Sequence, residues 1–155
     1  MPTSAILVVY HSKHEHTKHM AEAIARGAVQ AGAAVEVRNA DACQTSDLVG
    51  ADAIAIGSPS YFSNVAWQVK KLIDDSIRLY GSRRLSGKSG LAFSSAGTER
   101  DAKDCVEALE RAFGFHHGMA MLPSIVATDG EPTEAITKRC EAAGAALAAQ
   151  TAKKG

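Results

Sequence analysis

Short apolar runs alternate with longer segments of helical periodicity along most of the chain, and this alternation constrains the fold more than any other feature. Such runs are typical of buried strands, whereas apolar residues recurring every three or four positions mark one face of a helix. The runs predict strands at residues 6–10, 35–38, 53–56, 91–93 and within 119–126. The periodicity predicts helices near residues 20–32, 45–50, 65–77, 106–113 and 135–147. Pro123 is expected to end the regular part of the fifth strand.

This repeated alternation of strand and helix predicts a parallel sheet with helices on both faces, because parallel strands are joined by helical crossovers. Five strands in a chain of 155 residues favour the flavodoxin-like order 2-1-3-4-5. The sequence contains no repeat, linker or low-complexity tract, so we expect a single three-layer α/β sandwich over residues 1–155. Residues 151–155 are expected to fray.

The charge balance excludes several kinds of partner. The chain has 17 basic and 17 acidic side chains and no net charge, so nothing favours nucleic acid or a membrane surface as a partner.

The three cysteines, Cys43, Cys105 and Cys140, form no CxxC pair, which is typical of thiols in a reducing compartment. The first apolar run is too short for a signal peptide or a membrane span, and we therefore expect a cytoplasmic protein.

Three hydroxyl-rich loops follow predicted strands 1, 3 and 4, at residues 11–17, 58–64 and 94–98. In an open parallel sheet, ligands bind outside the carboxyl ends of the strands, where the strand order reverses. The first loop leads into a helix, whose free N–H groups and dipole favour an anion, and Ser12 and Thr17 add hydroxyl donors. Because the middle loop also carries Tyr61 and Phe62, the three loops predict a site for a phosphorylated planar ligand.

Four histidines crowd the first loop and the start of its helix, which raises the possibility of a metal site. They are His11, His14, His16 and His19. The metalloprotease signature HExxH fails because Lys18 occupies the position of its second histidine. The four rings would also have to converge across a tight turn, where Lys13 and Lys18 would repel a cation. The nucleotide-binding patterns GxxxxGK[ST] and GxGxxG are also absent. We therefore interpret this loop as an anion-binding loop and expect no metal.

Four sequence blocks resemble flavodoxin-like proteins, above all the tryptophan-repressor-binding-protein-like (WrbA-type) NAD(P)H:quinone oxidoreductases. They are ILVVYHSKHEHTKHMAEAIARGA, ADAIAIGSPSYFSNVAWQVKKLIDD, LSGKSGLAFSSAGT and HHGM, in the family's order. The resemblance implies non-covalent FMN, NAD(P)H as co-substrate, two-electron reduction of a quinone-like acceptor, and a homo-oligomer, either a dimer or a tetramer. It places the cofactor against Ser12, Lys13, His14, Glu15, His16, Thr17, Pro59, Ser60, Tyr61, Phe62, Ser95, Ala96, Gly97 and Thr98.

The same resemblance implies two residues at the substrate pocket. His116, the first of the HHGM block, is expected to approach the flavin, and Tyr80 aligns with an aromatic residue that the family places over the flavin from a neighbouring subunit. The chain departs from the family at Glu15 and Ser63, where the family carries glycine. If the backbone at Glu15 has a positive φ, the glutamate is strained by about 1–2 kcal/mol.

These departures leave two alternatives to the oxidoreductase. One is a flavodoxin-like electron-transfer protein, which the neutral charge of the chain does not favour. The other is a flavodoxin-fold binding protein whose flavin site has degenerated.

Overall fold

The computed structural model describes residues 3–154. Six strands, all paired in parallel, form its sheet: β1 (Ala5–Tyr10), β2 (Ala34–Asn39), β3 (Ala53–Pro59), β4 (Ser89–Ala96), β5 (Ala120–Met121) and β6 (Ile125–Thr128). The helices are α1 (His16–Gln30), α2 (Thr45–Gly50), α3 (Trp67–Asp75), α4 (Ile77–Tyr80), α5 (Glu99–Glu110) and α6 (Thr133–Lys154). A 3-10 turn (Ala40–Ala42) follows β2, and a π-helical turn (Arg111–His116) continues α5.

The strand order is β2-β1-β3-β4-β5, which confirms the predicted flavodoxin-like topology. The fifth strand of that order is divided into two pieces. Ser89 and Gly90 of β4 pair with β5, whereas residues 93–96 of the same strand pair with β6. Pro123 lies between the two pieces, as the sequence indicated, because a proline cannot donate the hydrogen bond that a continuous ladder needs.

Alternate residues of each central strand face opposite layers of helices, which gives the sandwich two cores. In β1, Ile6 and Val8 belong to the cluster beneath α1 and α6, while Leu7 and Val9 belong to the cluster beneath α3 and α5. All four side chains are at most 3% exposed. Because both faces of the sheet are covered, the strands carry continuous apolar runs rather than an alternating pattern.

Two predicted boundaries were wrong. The strand predicted to close at Gly57 continues to Pro59, because Gly57 lies within the sheet beside the ring of Phe93. A Cβ atom at this position would come within 2.1 Å of that ring, so the glycine makes room for a buried phenylalanine rather than ending the strand. Residues 151–154, expected to fray, continue α6, and Thr151 is buried with its hydroxyl donating to the carbonyl oxygen of Leu147 at 2.6 Å. The last residue of that tail, Gly155, lies outside the described residues.

The two helices on one face of the sheet, α1 and α6, are in direct backbone contact. A Cβ atom on Gly27 would lie 1.9 Å from the carbonyl oxygen of Glu141, and one on Gly144 would lie 2.0 Å from that of Ile24. Only glycine at these two positions allows the helices to approach so closely. No helix within residues 3–154 is both long and apolar enough to cross a lipid bilayer.

Candidate functional site

The three hydroxyl-rich loops meet at the carboxyl ends of β1, β3 and β4, where they enclose a cavity of about 310 Å³, here called the edge cavity. The topology requires this meeting, because the order of the parallel strands reverses between β1 and β3. Eleven of the predicted cofactor residues line the cavity: Ser12, Lys13, His14, His16, Thr17, Pro59, Ser60, Tyr61, Ser95, Ala96 and Gly97. The other three, Glu15, Phe62 and Thr98, do not line it.

The first loop presents unused hydrogen-bonding groups to the edge cavity. It leaves the sheet at His11, whose amide donates to the carbonyl oxygen of Gly57 at 3.2 Å. Within the described part of the chain, the Ser12 hydroxyl is buried and has no partner, and no amide of residues 12–17 donates a hydrogen bond. A buried hydroxyl without a partner is costly, so this group indicates a ligand that the loop is shaped to accept. Because the loop ends at the start of α1, that ligand is expected to be anionic.

Glu15 adopts the left-handed conformation that the sequence comparison with the family suggested. Its φ is 69°, a value that costs an L-residue with a side chain about 1–2 kcal/mol. Its carboxylate points outward: it is 78% exposed and lies 3.7 Å from the ammonium of Lys18. The negative charge therefore neither faces the edge cavity nor blocks its anion-binding loop.

The second loop is a tight two-residue turn whose central residues, Phe62 and Ser63, have φ values of 53° and 64°. Tyr61 and Asn64 close the turn by exchanging backbone hydrogen bonds of 2.8 and 3.1 Å. The Ser63 hydroxyl donates to the Asp101 carboxylate at 3.0 Å, which ties the turn to the start of α5. The turn leaves the ring of Phe62 fully exposed, while Tyr61 lines the edge cavity.

The third loop is joined to the other two by hydrogen bonds. The hydroxyls of Thr17 and Ser95 are 2.9 Å apart in a buried contact, and the Ser60 amide donates to the Ser95 carbonyl oxygen at 3.1 Å. Thr98 has a structural role instead, since its hydroxyl accepts from the Asp101 amide and caps α5. The loops therefore form one connected wall around the edge cavity.

Sequence reasoning missed Asp129, which follows β6 and also lines the edge cavity. Its carboxylate lies 3.5 Å from Nδ1 of His16, and both side chains are more than half exposed. Beyond this pair lies a second cavity of about 250 Å³, here called the side cavity, between the starts of α1 and α6. The two cavities share His16, Ser95 and Asp129. The signal for Asp129 was its place after the last strand, at the edge where the other loops were sought.

The four clustered histidines point in different directions. His11 ends β1, His14 is exposed, His16 faces Asp129, and the ring of His19 lies 2.9 Å from the Thr137 hydroxyl. Within residues 3–154, no three His, Cys, Asp or Glu side chains are grouped so that they could hold a metal ion.

Cys105 lies beneath the second loop and is fully buried, with Sγ 3.8 Å from the carbonyl oxygens of Ser58 and Pro59. Burial raises the pKa of this thiol, so it remains protonated at neutral pH. Burial also raises the pKa of Cys43 and that of Cys140 to about 12. All three thiols are therefore neutral at pH 7, and the thiolate form that would react as a nucleophile is disfavoured.

Residues 44–133 match the family model described as NADPH-dependent FMN reductase. The chain belongs to this family.

Curated relatives of this FMN reductase family member carry a quinone-reductase name. NAD(P)H dehydrogenase (quinone) of Paracoccus denitrificans (strain Pd 1222) is 31% identical over 137 residues, which cover 76% of this chain and 66% of the relative. NAD(P)H dehydrogenase (quinone) 3 of Rhizobium meliloti (strain 1021) is 30% identical, with 76% and 65% covered. The chain thus spans just under two thirds of the length of these relatives.

Solved structures agree with the family assignment. A WrbA-like flavodoxin from Agrobacterium tumefaciens superposes with a TM-score of 0.86 at 26% identity, covering 97% of this chain and 99% of that one. A flavodoxin from the domain Archaea superposes with a TM-score of 0.82 at 27% identity, covering 95% and 98%. The family member therefore has the flavodoxin-like fold over nearly all of its length.

Tyr80 and His116 are brought together, but at the opposite edge of the sheet. Their ring centroids are 6.5 Å apart, beside the chain segments that lead into the amino ends of β4 and β5. The eight residues of β4 span about 23 Å at about 3.3 Å per residue, so neither ring reaches the edge cavity of its own chain. Within one chain, Tyr80 and His116 therefore lie apart from the edge cavity, and their predicted place at the substrate pocket stays a prediction.

Sequence reasoning also missed the buried partner of this pair, His117. Its Nε2 lies 2.9 Å from the Ser76 hydroxyl, its ring stacks on Phe113 with centroids 5.8 Å apart, and it meets the edge of the Tyr80 ring. Burial lowers the pKa of His117, and the neighbouring His116 lowers it further. The imidazole is therefore neutral at pH 7 and contributes to packing.

Proposed function

We propose that this protein binds FMN in the edge cavity and catalyses the NAD(P)H-dependent two-electron reduction of quinone-like acceptors. The observation that carries the proposal is the buried Ser12 hydroxyl without a partner, which lies in a loop of free amides at the start of α1. These donors suit the phosphate of FMN, because helix N-termini with unused N–H groups bind phosphate without needing an arginine. The family assignment and the names of the curated relatives support the reaction.

The remaining walls of the edge cavity suit the rest of the cofactor. The half-exposed ring of Tyr61 offers a flat surface to the isoalloxazine, and the segment 95–97 supplies backbone groups on the other side. Residues 12–17 would hold the phosphate, and Ser60 lies between these two regions. Bound FMN supplies the hydride chemistry, and the protein orients the cofactor and shields one side of it from water.

Pairing of subunits completes the proposed site. Tyr80 and His116 lie one strand length away from the edge cavity of their own chain, on a patch that also carries Ile77 and Phe115, which are 72% and 80% exposed. We propose a homo-oligomer, a dimer or tetramer, in which this patch of one subunit contributes to the acceptor pocket of another. The unpaired state of all three cysteines supports a location in the reducing cytoplasm.

The proposal is tested by titrating the apoprotein into FMN and following the quenching of flavin fluorescence, with Ser12→Ala as the variant and Ser46→Ala as the control. Ser46 is exposed on α2, outside the edge cavity. We expect saturable binding that Ser12→Ala weakens about tenfold, since a hydrogen bond to a charged group contributes about 1.5–3 kcal/mol. Anaerobic mixing of the FMN-loaded protein with NADH or NADPH, and then with a benzoquinone, follows the reaction by flavin absorbance.

Two results would overturn this proposal. Absence of quenching would favour the binding protein with a degenerate flavin site. Quenching without direct reduction by either nicotinamide cofactor would favour the electron-transfer protein.

A further inference from the structure

The side cavity adjoins the anion-binding loop, and no proposed part of FMN occupies it. Its wall includes the first turns of α1, the end of β6 and the start of α6. Its volume of about 250 Å³ lies just below the range of about 300–1,000 Å³ that is usual for drug-sized ligands. The cavity therefore has room for one nucleoside and not for a whole dinucleotide.

The walls of the side cavity combine apolar surface with polar groups that suit an uncharged ring system. Met20 and Ala127 are buried and Ile136 is half-buried, and together they provide an apolar surface. Around them, Glu131 pairs with Arg139 at 2.7 Å, as Glu15 pairs with Lys18. Two of the three carboxylates that line the cavity therefore have a basic partner, and the third, Asp129, faces the imidazole of His16, so the rim favours an uncharged ring system over an anion.

The hydrogen-bonding groups of the rim match a ribose and a base. Oε1 of Glu131 accepts from the Thr128 amide at 3.1 Å and Oε2 accepts from Arg139 at 2.7 Å. Each oxygen keeps a second lone pair that can accept from a ribose hydroxyl, as acidic residues do in dinucleotide-binding folds. The hydroxyls of Thr128 and Thr133 also line the cavity and can either donate or accept. A second phosphate group would gain nothing from this rim, whereas a nucleoside would be held by both its base and its sugar.

The position of the side cavity decides which nucleoside could reach it. The phosphate is the end of FMN farthest from its ring system, and the side cavity shares His16 of the phosphate loop with the edge cavity, so it lies within reach of a group attached at that phosphate. In FAD, an adenosine monophosphate unit is attached at that same phosphate. We propose that the side cavity receives the adenosine of FAD, so that this site accepts FAD as well as FMN. The inference depends on the proposed function, because it assumes that the flavin phosphate binds at residues 12–17.

The pair of His16 and Asp129 separates the two cavities, and the linking phosphate of FAD must pass it. These side chains are 60% and 63% exposed, and 3.5 Å separates the nearest nitrogen and oxygen. An exposed pair of this kind contributes little to stability, so it can part without disturbing the fold. Once apart, the imidazole of His16 can turn toward the diphosphate.

The test compares the affinities of FAD and FMN in the wild-type protein and in two variants of α6. Thr133 lines the side cavity and is exposed at the first residue of the helix, so Thr133→Trp fills the cavity without entering the core. Glu134→Trp is the matched control, because Glu134 is exposed on the same turn and does not line either cavity. Affinities are measured by fluorescence quenching for FMN and by calorimetry for both flavins.

We expect wild-type FAD and FMN affinities within tenfold of each other. Thr133→Trp should lower the ratio of FAD affinity to FMN affinity at least tenfold, and Glu134→Trp should leave that ratio within twofold. Thr133→Asp gives the same test if the tryptophan variant misfolds, because a carboxylate favours the start of a helix and repels the added phosphate.

The outcomes separate this inference from the proposed function. If FMN binds and FAD binds more than a hundredfold more weakly, or if Thr133→Trp leaves the ratio unchanged, the adenosine does not use the side cavity and the FMN proposal stands. If neither flavin binds, the proposed function fails first. A raised KM for NADH in FMN-loaded Thr133→Trp would place the adenosine of the nicotinamide cofactor in the side cavity and overturn the inference.

Discussion

The two edges of the sheet use their polar groups differently. At the carboxyl edge, the Ser12 hydroxyl is buried without a partner, and the amides of the loop that contains it are unused among the described residues. At the amino edge, Nε2 of His117 lies 2.9 Å from the Ser76 hydroxyl and the amide of Gln150 donates to Ser89 at 3.0 Å, although Nδ1 of His117 is also buried without a partner among the described residues. Unsatisfied donors are expected where a ligand completes the structure, and satisfied ones where the protein itself does so.

Strained backbone conformations are also concentrated at the carboxyl edge. Among residues 3–154, four residues other than glycine have a positive φ: Glu15, Phe62 and Ser63 lie in the carboxyl-edge loops, and Arg83 lies near the amino edge. Strained conformations persist where the surrounding structure fixes them, often beside a ligand. The comparison therefore predicts that substitutions at the carboxyl edge change FMN affinity, whereas those at the amino edge outside the patch of Tyr80 and His116 change stability.

The largest expected effect is that of Ser12→Asp on FMN affinity. A carboxylate about 4 Å from a phosphate charge costs about 4 kcal/mol at an effective dielectric of 20, which corresponds to a loss of about a thousandfold. The control is Ser86→Asp, which places the same charge on an exposed residue near the amino edge. Fluorescence titration with FMN measures both. If Ser12→Asp and Ser86→Asp bind FMN with equal affinity, the two edges of the sheet do not differ in their effect on FMN binding.

A smaller effect is expected from Glu15→Gly. Release of the left-handed strain should raise the free energy of unfolding by about 1 kcal/mol, measured by urea denaturation. The Glu15 carboxylate is exposed and close to Lys18, so its removal should tighten FMN less than tenfold. Arg83→Gly is the matched substitution near the amino edge, where φ is 54°. It should raise stability similarly and leave FMN affinity unchanged; a change in affinity there would contradict the comparison.

The smallest expected effect is the contribution of His117, at the amino edge, to the pH dependence of the free energy of unfolding. Because the pKa of His117 is lowered in the folded protein, the unfolded chain takes up its proton first as the pH falls through about 6.5. The stability contributed by neutral His117 is therefore complete above pH 6.5 and is lost below it. Urea denaturation between pH 7.5 and 5.5 should show a weaker pH dependence for His117→Gln than for the wild type. His116→Gln, which changes an exposed neighbour, should retain most of that dependence.

The topology and the first three loops could be predicted because they depend on local patterns. The apolar run at residues 6–10 and the hydroxyls at Ser12 and Thr17 are visible in the sequence, and the rule for parallel sheets brings the loops together. The prediction that Gly57 ends its strand was wrong, because the role of this glycine depends on its contact with Phe93, which lies in the neighbouring strand and far away in the sequence.

Asp129 could have been found from its place after the last strand, but the side cavity could not be predicted, for a reason similar to that of Gly57. The side cavity exists only because the starts of α1 and α6 approach each other, and no local pattern encodes the space between two helices. The sequence blocks also did not predict that Tyr80 and His116 lie at the amino edge of the sheet, away from the edge cavity of their own chain. For Tyr80 the resemblance already implied a neighbouring subunit, whereas for His116 it did not say which copy of the chain supplies the residue.

The contact between α1 and α6 at Gly27 and Gly144 has a consequence for the anion-binding loop. Because the backbones of α1 and α6 are in contact there, α6 holds α1 in place, and the start of α1 forms part of the anion-binding loop. Truncation of the carboxyl-terminal 22-residue helix would therefore remove the support of a loop more than a hundred residues earlier in the sequence. A side chain at Gly27 or Gly144 would push the two helices apart and so disturb the anion-binding loop, although neither glycine lies near that loop in the sequence.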